Sequence, residues 1–383
     1  MNNLDVIYNY DWIRAHWSKQ ELTNDRDDSL WRYLPLLPVK TAPENHSIRV
    51  GGTPLISFPK IALDYDLNNF YIKDDMRNPS GSLKDRATEI GIQHASELGK
   101  DTLVAASTGN AAASLSALSA FYGKKAVILA PASTPKAKLT QILQHGAHLY
   151  LIDGSYDEAF DLSIKVAKEF GWYLRSTGIN PIMSEGKKTV ALEISEQLDW
   201  QVPDKVFVPV GDGCIIGGIY KGFYDLKQLD WIDKIPKLIA LQAEGSAAIV
   251  NALENNGEIK LVSSNTLADS ISVDFPRDGL KALRAVNESG GFGIKITDDE
   301  ILKAQLLLSK TTGIFAEPAA AAAFGGFLKA HKSGKIETGE SVIVLITGTG
   351  LKDVPSAQKQ IKMPEAISPD FSLFRDSHLT YIK

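Results

Sequence analysis

The chain has 383 residues, and at about 100 to 200 residues per domain it should hold two compact units, or one large α/β unit with a lobe. Hydrophobic residues make up 44% and charged residues 23%, which excludes a disordered, collagen-like or long coiled-coil chain. Lys plus Arg total 41 against 46 Asp plus Glu, a formal net charge of -5, so no basic surplus exists for a phosphate backbone or an anionic membrane, and neither nucleic acid nor membrane is an expected partner.

The first thirty residues carry Asp5, Asp11, Arg14, Lys19 and Glu21 where a signal peptide needs an apolar core. From about Phe70 onward, short β-branched runs alternate with amphipathic stretches. Strands are expected at Phe70 to Lys73, Thr102 to Ala106, Lys125 to Ala130, Leu149 to Ile152, Lys205 to Val210, Lys237 to Ala243 and Ser341 to Thr347. Helices are expected between them at Leu83 to Leu98, Ala111 to Tyr122, Pro135 to His145, Tyr156 to Phe170, Lys187 to Leu198, Ile216 to Leu226, Asp298 to Thr312 and Pro318 to Lys329. Apolar strands separated by helices mean βαβ units and parallel sheets. The longest purely apolar stretches, such as Val342 to Ile346, are far short of the roughly 20 residues of a membrane span. One cysteine, Cys214, allows no intrachain disulfide, and the seven histidines show no metal-ligand spacing, so no metal is expected and a reducing cytoplasm fits.

In a parallel α/β sheet the ligand sits at the carboxyl ends of the strands, where loops lead into helix N-termini. Four loops rich in glycine or small polar residues fall there: Asn78 to Arg86, Ser107 to Asn110, Gly211 to Gly218 and Thr347 to Gly350. The third has four glycines in eight residues, so backbone amides can approach a bound group closely ahead of a helix; it reads as a phosphate cradle or as a tight turn. Its spacing fails the dinucleotide fingerprint, because Ile216 stands where the third glycine belongs, and Gly186-Lys187-Lys188-Thr189 fails the Walker A pattern. Lys84 lies in Ser-Gly-Ser-Leu-Lys-Asp-Arg at the entrance to a helix, whose positive end disfavours a further cation. With a separate phosphate cradle it suggests a Schiff-base lysine for pyridoxal phosphate; taken alone it reads as a solvated lysine.

Gly51-Gly52-Thr53-Pro54-Leu55, Asn78 to Arg86, Ser107-Thr108-Gly109-Asn110, Glu185 to Thr189, the Gly211 loop, Glu317-Pro318-Ala319 and Thr347 to Asp353 follow one another as in threonine synthases. Over about Trp31 to Asp353 the chain resembles that family, which belongs to the pyridoxal phosphate enzymes of the tryptophan synthase β-subunit fold. The resemblance implies that Lys84 binds the cofactor covalently and that the Asn110 amide meets its phenolic oxygen. It implies that Gly211, Asp212, Gly213, Cys214, Gly217 and Gly218 hold the cofactor phosphate, with Thr347 against the pyridine nitrogen. Ser107, Thr108 and Gly109 would receive the substrate carboxylate.

The chain departs from the family pattern. Many threonine synthases place an arginine for the substrate phosphate within the segment that here reads Asn180-Pro181-Ile182-Met183-Ser184. Asp212 and Cys214 replace a frequent asparagine and a small residue, and an acid there repels a phosphate unless it caps an amide. Thr349 replaces a frequent histidine. Lys187, Lys188 and Arg175 could supply the missing charge, with Ser176 and Thr177 as neutral donors, although the lysine pair also reads as a solvated helix face.

The expected architecture is α/β, with two open twisted, mostly parallel sheets in a large and a small lobe. Residues 81–180 would form a smaller mobile domain inserted into a larger cofactor-binding one made of 1–80 and 181–383. The resemblance implies conversion of O-phospho-L-homoserine and water to L-threonine and phosphate. The alternative is a threonine or serine dehydratase, or a β-replacement enzyme, of the same fold. The expected partner is a small amino-acid substrate, and a homodimer is left open.

Overall fold

The computed structural model describes residues 4–375. Two short helices, α1 (Tyr10–His16) and α2 (Lys19–Asn24), precede β1 (Leu55–Ser57), α3 (Pro59–Asp64) and β2 (Asn69–Asp74). Then come α4 (Lys84–Glu97), β3 (Thr102–Ala106), α5 (Asn110–Phe121), β4 (Lys125–Pro131), α6 (Lys136–Gln144), β5 (His148–Ile152), α7 (Tyr156–Phe170) and β6 (Tyr173–Leu174). The chain continues through α8 (Ile182–Gln197), β7 (Lys205–Pro209), α9 (Cys214–Gln228), β8 (Lys237–Ala243), α10 (Ala248–Glu254), α11 (Gly279–Glu288) and β9 (Phe292–Ile296). It closes with α12 (Asp298–Thr312), α13 (Pro318–Lys332), β10 (Ser341–Ile346) and α14 (Val354–Gln358).

Six strands form one sheet in the order β1-β2-β10-β7-β8-β9, and four form a second in the order β5-β4-β3-β6. All pairings are parallel except that of β1 with β2. Every expected strand is present. The sequence reading lacked β1, β6 and β9, which are short or glycine-interrupted and lie at sheet edges, where a full apolar run is not required.

Helix ends follow local chemistry. Ser155 with Glu158 and Thr297 with Glu300 form capping boxes that start α7 and α12, and Gly171 and Gly313, in the left-handed region, stop them. α8 starts five residues earlier than expected, at Ile182, so Lys187 and Lys188 lie in its second turn. The reading of that pair as a solvated face is overturned, since both are buried.

The larger sheet is covered on one face by α8, α9 and α11 and on the other by α13, each contributing to a separate apolar core. Where α8 meets α9, Gly218 approaches Ser184 O and the Lys187 Cβ so closely that a methyl group there would lie 2.8 and 3.0 Å from them. A Cβ on Gly217 would lie 3.0 Å from that of Lys281. These two glycines serve helix packing.

A buried ionic network joins the parts that carry the first motifs. Arg86 donates to both Asp75 oxygens at 2.7 and 2.8 Å and to both Glu193 oxygens at 2.5 and 2.8 Å. Lys73 reaches Glu193 at 2.7 Å, and the Gly52 N–H donates to the same carboxylate. Arg86 and Lys73 together hold the Glu193 carboxyl far below the usual range despite its burial.

Glu89, on α4, is buried with a different outcome. Its Oε1 accepts from Trp31 Nε1 and the Tyr122 hydroxyl, while Oε2 has no partner. Burial pushes its pKa up to about 7. The folded state therefore favours the protonated acid: this stabilisation is fully present below pH ~4.5 and is lost as pH rises through about 7. Glu89→Gln mimics the protonated form. It should match the parent protein in urea unfolding near pH 4.5 and exceed it at pH 8 by on the order of 3 kcal/mol; an equal difference at both pH values would refute this account.

Candidate active site

A cavity of about 550 Å³ lies between the two sheets, at the carboxyl ends of β3, β4 and β7. Such a volume suits a cofactor with a small substrate. Lys84, Ser107, Thr108, Gly109, Asn110, Arg175, Ser176, Thr177, Lys187 and the whole run Gly211 to Ile215 line it. Most of the expected residues are thus brought together from five separate stretches of chain.

Lys84 opens α4. Burial and the nearby Lys187 and Arg175 push its pKa down to about 8, against opposing effects of Cys214 and Glu317. The depressed proton affinity expected from the helix end is present, and its main cause is burial beside two other cations. Lys187 and Arg175 are themselves buried. Among the described residues neither makes an ion pair; Arg175 donates to the Thr88 hydroxyl at 3.1 Å and weakly to the Lys84 carbonyl, and the Lys187 ammonium makes no hydrogen bond with them. Burial lowers the pKa of both.

Lys188 behaves otherwise. It lies outside the cavity lining, 2.6 Å from Glu185 and 2.7 Å from Asp225, beneath the Tyr8 ring. The expectation that it binds substrate is corrected: one residue is about 100° of rotation on a helix, enough to turn it from the cavity into the α8–α9 interface. Gly217 and Gly218, expected in the phosphate cradle, likewise lie outside the lining. The loop proper is Gly211 to Ile215, where Gly213 takes φ +96° and a Cβ would meet Asp278 O at 2.7 Å. Asp212 caps an amide, accepting from Arg277 N at 3.2 Å. Cys214 is a buried thiol whose pKa burial raises. Thr347 stands just beyond β10, its carbonyl accepting from Leu83 N at 2.9 Å; it is not among the cavity-lining residues, and its hydroxyl makes no hydrogen bond with the described residues.

Met183 is fully buried in the core of the four-stranded sheet, with its Cε where a Cβ on Gly91 would stand. It faces α4, and the cavity does not include it.

One part of the wall was missed. Residues 255–278, between α10 and α11, hold no regular element beyond a single turn at Asp269–Ile271, yet Ser264, Asp269 to Phe275 and Arg277 line the cavity. The signal was available: a connection of this length in a compact domain is seldom idle. Lys138 to Asp269 at 2.7 Å and Arg277 to Asp157 at 2.5 Å tie this segment to α6 and α7 across the mouth.

Pyridoxal phosphate fits these residues. The site has an amine of lowered proton affinity, a buried cation with no ion-pair partner among the described residues, and a glycine loop that leads into the N-terminus of α9.

A family profile described as pyridoxal-phosphate dependent enzyme matches residues 47–348. Threonine synthase of Methanocaldococcus jannaschii is 39% identical over 97% of this chain and 92% of its own length, and that of Methanosarcina acetivorans 38% identical over 98% and 92%. Among solved structures, a fungal L-serine ammonia-lyase from Rhizomucor miehei superposes with a TM-score of 0.70 at 22% identity, covering 81% of this chain and 98% of that one, a likeness of fold. In fold, in site and in sequence over nearly its whole length, this chain belongs to the pyridoxal-phosphate dependent enzymes, on their threonine synthase branch.

Proposed function

We propose that the cavity converts O-phospho-L-homoserine and water to L-threonine and phosphate, with Lys84 as the reactive amine and Arg175 and Lys187 as the seat of the substrate phosphate. One observation carries the assignment: three buried or half-buried cations face one cavity without a carboxylate partner among the described residues. A protein tolerates unpaired buried charge where a ligand of opposite sign supplies the pairing. Arg175 and Lys187 would thereby supply the charge that the family resemblance expects from an arginine within the 180–184 segment.

Bound pyridoxal phosphate supplies an electron sink for negative charge developing on the substrate carbons. The Gly211 to Ile215 loop and the first turn of α9 would hold its phosphate, Asn110 would meet its phenolic oxygen, and the Thr347 hydroxyl its ring nitrogen. A threonine hydroxyl is neutral, so it leaves the ring nitrogen without the countercharge a carboxylate would give. Ser107, Thr108 and Gly109, at the N-terminus of α5, would receive the substrate carboxylate. With a pKa near 8, the Lys84 amine is neutral often enough at physiological pH to take protons and cationic often enough to return them. It would do so in turn at Cα, Cβ and Cγ as the Cγ–O bond breaks, phosphate leaves and water adds at Cβ. Residues 81–180 would be the mobile lobe that closes over substrate, with Lys138–Asp269 and Arg277–Asp157 meeting across the mouth.

O-phospho-L-homoserine should yield inorganic phosphate and threonine in equal amounts; conversion of threonine or serine to a keto acid and ammonia, with that substrate ignored, would instead install the dehydratase reading. Adjacent lysines should separate cleanly. Lys187→Met and Arg175→Gln should raise KM roughly 10- to 100-fold with little loss of stability, because each removes a charge-assisted contact to the substrate and breaks no ion pair among the described residues. Lys188→Met leaves the buried Glu185 carboxylate without a cation and Asp225 with Lys221 alone, and should cost about 3 to 5 kcal/mol in urea unfolding. Equal losses of stability from Lys187→Met and Lys188→Met would sink the distinction.

A further inference from the structure

Glu317 holds the N-cap position of α13, yet its side chain makes no capping bond. Its carboxylate accepts instead from Asn110 Nδ2, at 2.8 Å to Oε1 and 3.0 Å to Oε2. The same nitrogen reaches Ser270 Oγ at 3.2 Å. The Thr347 to Thr349 segment closes over the other side: Gly348 O accepts from Glu317 N at 2.9 Å, and a Cβ on Gly348 would lie 2.4 Å from Oε1. A glycine at 348 is what leaves room for the acid.

The surroundings do not neutralise Glu317 by a close ion pair. Among the described residues its contacts are the Asn110 amide and the Ser270 hydroxyl, with Lys352 and Lys84 acting at longer range, and burial raises its pKa against them. Around Lys84, in turn, stand Lys187 and Arg175, which disfavour its proton, and Cys214, Glu317 and Asp212, which favour it. Lys352 also feels Asp85.

We propose that Glu317 is a positioning residue acting through both Asn110 and Lys84. An ionised carboxylate can only accept. It therefore fixes the Asn110 carboxamide with its nitrogen toward Glu317 and its oxygen turned away, so that the second N–H, which reaches Ser270 Oγ at 3.2 Å, is the donor that a ligand oxygen in the cavity would take over. Its charge simultaneously raises the proton affinity of Lys84, opposing Lys187 and Arg175. The inference rests on the reading of Lys84 as the reactive amine.

The test follows the rate of acetylation of Lys84 against pH in cofactor-free protein, by peptide mass mapping, in the parent, Glu317→Gln and Glu317→Asp. Removing the charge with little change of shape should lower the Lys84 titration by about one pH unit, and Glu317→Asp, which keeps the charge, should restore most of it. A purely structural role predicts the reverse order, with the isosteric glutamine harmless and the shorter aspartate damaging, and that outcome overturns the proposal. Retention of pyridoxal phosphate, read by its visible absorbance during dialysis, should fall about tenfold in Glu317→Gln and no further when Asn110→Ala is added. Independent, additive losses would exclude the route through Asn110. Borohydride reduction and mapping of the loaded protein separates the two levels: label on a lysine other than Lys84 defeats the site assignment, whereas label on Lys84 with an unmoved titration defeats Glu317 alone.

Discussion

Arg86, with no exposed surface, fixes where the chemistry can occur. Its guanidinium is shared between Asp75, just after β2, and Glu193, on α8, with Thr53 and Thr189 completing the shell at 3.0 and 2.9 Å. A planar group with five donors in a fixed fork admits little freedom once four partners are set. Since Arg86 sits two residues into α4 from Lys84, the same contacts that clamp the helix to β2 and α8 determine where the lysine amine points. Several residues of the motifs that resemble the threonine synthases, Gly52, Thr53, Arg86 and Thr189, converge on this network and not on the cavity.

Charge in the interior is thereby divided into two kinds. Lys73, Arg86 and Lys188 are buried opposite carboxylates at 2.5 to 2.8 Å, and removing either side leaves a stranded ion. Lys187 and Arg175 are buried to the same degree and have no such partner among the described residues. The first kind orders the scaffold; the second is the charge that, in the proposed reading, an anionic ligand would pair. The separation is maintained by a close α8–α9 contact, which glycines 218 and 222 permit and which seals Lys188 away from the cavity that Lys187 faces.

Glycine serves two distinct ends in neighbouring stretches of chain. At Gly213 a left-handed turn brings the backbone against Asp278 and leads into the first turn of α9. Four residues on, Gly217 and Gly218 lie outside the cavity lining and let α9 touch α11 and α8 respectively. The connection at residues 255–278 completes the wall from a part of the chain with no regular structure, held to α6 and α7 by half-exposed ion pairs that contribute little to stability individually. Their location at the mouth, and not their strength, is what suits them to an opening that must admit substrate.

The sequence by itself determined the α/β class, seven of the ten described strands, eight of the fourteen described α-helices, and the loops at which a ligand would be bound. These follow from hydrophobic period, capping residues and glycine placement, which act over a few neighbouring residues. Order of motifs along the chain added the cofactor and the reaction. Only the tertiary structure decided which of two adjacent lysines faces the cavity, that Met183 is turned into a core, that Asp212 caps the Arg277 amide, and that Glu317 is committed to Asn110. Each of those depends on a partner far away in sequence and on the rotation of a side chain about a helix axis, where a single residue changes the direction by about 100°, and no local pattern records that angle until the neighbouring helix is in place.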